Sequence, residues 1–174
     1  LTQHALLADV LASVQWINRQ ALYLARAQGS RVFEGWLELD HAQVLEQRGA
    51  PPRADHLLAA VHALRDKPGQ DFSPLLGRIA LRRGRLAVRM GFEERAAEQF
   101  QTGLETGLHS QDKQVLYGFL GKAGLAANQG DYGEAFMQLR DAERIMQQRH
   151  IPDTVYRGVG LQTSCQFWLQ QGRA

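Results

Sequence analysis

The chain has 174 residues, 44% of them hydrophobic and 22% charged, with a formal net charge of +2. That length fits one domain with a sizeable core, the composition excludes wholesale disorder, and so small a charge gives no argument for nucleic-acid binding. The single Cys excludes an internal disulfide framework and a cysteine-rich zinc site, and every long apolar stretch is broken by charge or amide residues, so no membrane span is expected. Leu1 stands at the start without a basic-then-apolar leader. The expectation is a piece of a longer, non-secreted, cytoplasmic protein.

Strand signals are weak, because runs of Val, Ile and Thr alternating with polar residues are absent. Leu, Ala, Arg, Gln and Glu dominate, and apolar residues recur at three and four, as in Leu57, Leu58, Val61 and Leu64 or Ala96, Phe100 and Leu104. Residues 1–28 contain no Gly or Pro. They are read either as one continuous helix or as the tail of one helix followed by another. Later breaks fall at Gly29-Ser30, Gly49 to Pro52, Pro68-Gly69-Gln70, Met90-Gly91, Ser110, Gly130-Asp131 and Ile151-Pro152. Ser30, Ser73, Asp112 and Asp153 are candidate caps, with Pro74 as a first helical residue. The pieces suit antiparallel helices joined by short turns. They group as a partial unit at about 1–29, units at 30–68, 73–110 and 112–150, and a partial unit at 152–174.

These units share a register. The glycines Gly49, Gly91, Gly130 and Gly172 are spaced 42, 39 and 42. Five residues after the first three stand Ala54, Ala96 and Ala135; nine after, Leu58, Phe100 and Leu139; twelve after, Val61, Gly103 and Ala142. Seven before each of the four stand Ala42, Gly84, Ala123 and Cys165. The small residues allow one helix to approach the next, and the large one fills the space between pairs. No unit could bury these faces alone, so neighbours are expected to stack. Counting 42 back from Gly49 reaches Leu7, which puts Ala12 and Trp16 at the same offsets without a turn glycine.

The offsets resemble the tetratricopeptide repeat, above all in Gly130-Asp131-Tyr132-Gly133-Glu134-Ala135 and more loosely in Gly91-Phe92-Glu93-Glu94-Arg95-Ala96. The period is longer than the family's 34, and its closing Pro is not at the usual place. Longer helices with this signature are similar to the superhelical repeat region of MalT-type transcription regulators, ATP-dependent activators with a LuxR-type DNA-binding end. The resemblance covers about residues 30–172. It implies an all-α, right-handed α-α superhelix that senses an effector and self-associates, possessing no catalysis of its own and reaching DNA only through a module outside this chain. The other readings are a free-standing adaptor gripping a peptide or acidic segment, and an enzyme on a helical scaffold, for which no nucleophile–base or metal constellation is present.

In stacked helix pairs the first helices line the concave surface, where such proteins bind. Here the helix from about Pro74 to Met90 carries Arg78, Arg82, Arg85 and Arg89 at spacings of 4, 3 and 4, on one face, with no acid between Asp71 and Glu93. By register Trp36, Arg78, Tyr117 and Val159 are equivalent, as are Gln43, Arg85, Gly124 and Gln166, and Gln47, Arg89, Asn128 and Gln170. A groove of this kind takes a small polar or anionic effector or an acidic protein segment, since guanidinium pairs bidentately with carboxylate and phosphate. The plainer reading is a solvated face paired with acids such as Glu38, Asp40 and Glu46. No cofactor motif is present, and Gly121-Lys122 is not a phosphate loop because Leu116 and Ala123 hold the wrong places. The six histidines show no metal-binding arrangement, and Cys165 is expected to be a buried, inert thiol. Gly118, Gly121 and Gly124 are read as close helix contacts. Trp16, Phe100, Phe136, Phe167 and Trp168 are expected in the core.

Overall fold

The computed structural model describes residues 3–62, 72–110 and 113–151. Within them lie seven helices and no strand: α1 (Gln3–Ala27), α2 (Arg31–Gln47), α3 (Pro51–His62), α4 (Ser73–Arg89), α5 (Glu93–His109), α6 (Val115–Asn128) and α7 (Tyr132–Gln148). Packing runs between helices adjacent in sequence, α1 on α2, α2 on α3, α5 on α6 and α6 on α7. The chain divides into two compact units, Leu1–Leu75 and Leu76–Ala174. Leu64, Pro68 to Gln70, Asp112, Asp153, Val159, Cys165, Gln166, Phe167, Trp168, Gln170 and Gly172 lie outside the described residues.

One device ends five of the helices. Gly29, Gly49, Gly91 and Gly130 have φ between 68° and 80°. In each case the glycine N–H donates to a carbonyl three residues back, and the next N–H donates five back, as Gly91 does to Val88 and Phe92 to Ala87. This satisfies carbonyls the helix leaves open and turns the chain sharply. His150 closes α7 in the same way at φ 50°, with Ile151 packed against Met146. Restarts are less uniform. Asp131 caps α7 by accepting from the Glu134 N–H at 3.0 Å, a cap the sequence reading did not single out. Ser30 precedes α2 without a side-chain cap bond, and Ser73 is itself the first residue of α4.

In the second unit the register positions Gly84, Ala96, Phe100, Gly103, Ala123, Ala135 and Ala142 are buried, and Leu139 is half-buried. A Cβ added at Gly84 would lie 2.7 Å from the Phe100 ring, and one at Gly121 2.5 Å from the same ring. Gly103 faces Leu81, and Gly118 faces Leu104. Close packing therefore explains the helical glycines at 118 and 121, whereas Gly124 meets nothing within 4 Å. Leu104, Val115, Leu116, Phe119, Leu120, Ala142 and Ile145 continue the core across α5, α6 and α7.

The first unit keeps the same register at Gly49, with Ala42, Ala54, Leu58 and Val61 at 0–3% exposure. Its α1 is unbroken, so the continuous-helix reading holds there. Two core assignments are corrected. Trp16 is 65% exposed and Phe136 53% exposed. Along α1 the buried line is Asn18, Leu22 and Ala25. Trp16 lies about 150° around the helix from that line, at 100° per residue. Phe136 follows the buried Ala135 and points off the packed face of α7.

Candidate functional site

The arginine stripe is held in place by the packing of α4. Gly84 and Leu81 turn one side toward α5, while Leu75, Ile79 and Leu86 bury another. Arg78, Arg82, Arg85 and Arg89 fall in a lane about 60° wide between these two sides. Arg85 and Arg89 are exposed, and Arg78 and Arg82 half-buried, so the lane opens toward the end of the helix. Tyr117 on α6 is half-buried and packs against the cluster containing Leu81, Ala87, Ala96, Phe100 and Leu125. The fold thus puts its ring on the same core that α4 rests on. Asn128, the last residue of α6, is exposed, and the adjacent Gln129 donates to the Glu93 carboxylate at 3.1 Å.

The remaining predicted residues belong to the first unit. Trp36 is half-buried and Gln43 exposed, both on α2. Of the acids named as counterparts to the stripe, Glu38 is engaged within this unit, Glu46 is buried and Asp40 is exposed.

Sequence reasoning missed a second charged cluster in this first unit. Glu34 and Glu38 are only 5% and 8% exposed. Arg26 at the end of α1 reaches both, with Nε 2.7 Å from Glu34 Oε1 and Nη2 3.1 Å from Glu38 Oε1. Arg31 adds a 2.7 Å contact to Glu34, and His41 Nδ1 lies 3.4 Å from Glu38 Oε2. Counted from Gly29, these acids stand at the five and nine offsets, where the other hairpins carry Ala and a large apolar residue. The signal was available: two glutamates four apart, preceded by two arginines. The Asn18 amide adds a 2.8 Å bond to the Leu37 carbonyl, tying α1 to α2.

Burial alone would raise the Glu34 pKa, but hydrogen bonds and charge from Arg26 and Arg31 outweigh it and hold the carboxyl below its ordinary value. The same pairing raises the Arg26 guanidinium. Among the described residues no group of three or more His, Cys, Asp and Glu is placed to hold a metal ion, and no helix is long and apolar enough to cross a membrane. No protein-family model matches the chain, and no curated protein matches it.

A carboxyl with a lowered folded pKa contributes stability that is present above its unfolded pKa and lost as pH falls through the folded one. Glu34→Gln is therefore expected to cost about 1–3 kcal/mol at neutral pH. The gap between native and variant should close as the pH falls through and below the ordinary carboxylate range. Melting curves of both proteins across that range check it, and a gap that stays constant contradicts it.

Proposed function

We propose that this chain is a right-handed superhelical repeat segment that senses an effector and self-associates within a cytoplasmic transcription regulator of the MalT type. The observation that carries the reading is the arginine lane on α4, set on a helix whose register is fixed by Gly84 against Phe100. Four guanidiniums at spacings of 4, 3 and 4 make a cationic lane, and their planar forks match the geometry of carboxylate and phosphate. The burial of Ala54, Ala96 and Ala135, five residues after Gly49, Gly91 and Gly130, supports the stacked-hairpin architecture. Binding that favours one curvature of such a rod over another would shift the parent protein between resting and assembled forms.

Self-association has its own support in α1. Trp16 and Tyr23 are 65% and 71% exposed, and Ile17 and Leu24 59% and 56%. Each pair is seven residues apart, with Trp16 and Tyr23 opposite the line of Asn18, Leu22 and Ala25 and with Ile17 and Leu24 flanking it. A helix apolar on both faces is one that packs on both. A free-standing adaptor would use the same arginine lane for an acidic peptide. The reading frame on either side separates the two, a nucleotide-binding module upstream and a helix-turn-helix downstream favouring the regulator.

Arg85→Ala combined with Arg89→Ala is expected to weaken binding of a fluorescent polyglutamate peptide at least tenfold and to move the melting temperature by no more than about 2 °C. Fluorescence anisotropy and thermal denaturation measure both, and unchanged affinity or a large loss of stability overturns the role. Light scattering over a concentration series is expected to show association that Trp16→Glu with Tyr23→Glu abolishes. A native protein that stays monomeric throughout contradicts the surface.

A further inference from the structure

The hairpin of α2 and α3 carries an open groove of about 430 Å³ that the preceding reading does not use. Its apolar part is Leu45 from α2 with Leu57 and Ala60 from α3. Its polar groups are His41, Arg53 and His56, with no acid among the described lining residues. The spacing explains the arrangement. Arg53, His56, Leu57 and Ala60 stand three, four and seven apart and share one face of α3, while His41 and Leu45 are four apart on α2. Leu45 and Leu57 are half-buried, whereas Arg53 and His56 are exposed at the mouth.

His41 is the supported member of this set. Its Nδ1 faces the carboxylate of Glu38, which is buried and also held by Arg26. The imidazole is therefore fixed on the groove wall by the ion-pair cluster beneath it, an arrangement in which a buried shell orients the outer one. Small-molecule sites of this size combine a largely apolar lining with a few convergent polar groups that fix orientation. Here Arg53 is the permanent cation among these groups, and its planar fork matches a carboxylate.

We infer that the α2–α3 groove is a binding site for a small amphipathic carboxylate, its head at Arg53 and His56 and its apolar body over Leu45 and Leu57. The site is made wholly from first-unit residues and does not depend on the arginine lane of α4.

Octanoate is the probe, with octanol and octylamine as neutral and cationic counterparts of the same chain length. Isothermal titration of the full chain is expected to show octanoate binding at least tenfold tighter than either counterpart. Arg53→Ala with His56→Ala should weaken octanoate at least tenfold with an unchanged circular-dichroism melt, since both side chains are exposed. Leu57→Ser should weaken octanoate and octanol alike, and Arg85→Ala with Arg89→Ala should leave octanoate binding unaltered. Equal affinity for octanoate and octanol, indifference to the loss of Arg53 and His56, or no octanoate binding at about 10 mM overturns the site.

Discussion

Within the second unit, one aromatic ring sets the distances between helices. Phe100 is 1% exposed, and its ring occupies the space a Cβ would take at both Gly84 on α4 and Gly121 on α6. A glycine inside a helix costs up to about 1 kcal/mol against alanine. Two helices accept that cost to close on the same ring, and dispersion across the close contact offsets it. The arginine lane depends on this contact. With Gly84 turned to Phe100, Arg85 and Arg89 fall on an exposed side of α4.

The first unit meets the same geometric problem with different chemistry. After Gly91 and Gly130 the offsets hold Ala96 with Phe100 and Ala135 with Leu139, whereas after Gly29 they hold Glu34 and Glu38. Small and large apolar residues are thereby replaced by two carboxylates gathered under Arg26 and Arg31. A paired buried charge adds little net stability over an apolar contact, but it tolerates only one geometry. Arg26, 56% exposed at its side chain, keeps one edge in water, which lowers the desolvation cost of the cluster.

This contrast explains what could be read from the chain alone. The turn glycines and the alanines behind them were legible because a left-handed backbone and a close helix approach each admit very few residue types. Gly49, Gly91 and Gly130 carry the register, and the residues at its small positions are buried. The register failed on α1 because it was extended 42 residues back from Gly49, onto Trp16, instead of being restarted at Gly29. Restarted there, it finds acids where apolar residues stand elsewhere, and a search for apolar recurrence passes over them. Phe136 was placed in the core by residue type alone, although it sits next to the packed position and not on it. The stripe was legible as a face of α4. The groove of α2 and α3 was not, because it arises from how the side chains of two paired helices meet, which the spacing along either helix does not give.

The central claim is that Phe100 and the helical glycines form one interlocking contact that fixes the second unit. A double-mutant cycle of Gly121→Ala and Phe100→Leu, followed by urea denaturation, tests it most directly. Each change alone is expected to cost about 1–3 kcal/mol, one by crowding the ring and the other by leaving a void. Together they should cost at least about 1 kcal/mol less than their sum, because the smaller side chain makes room for the new methyl group. Costs that add to within about 0.5 kcal/mol would contradict the account.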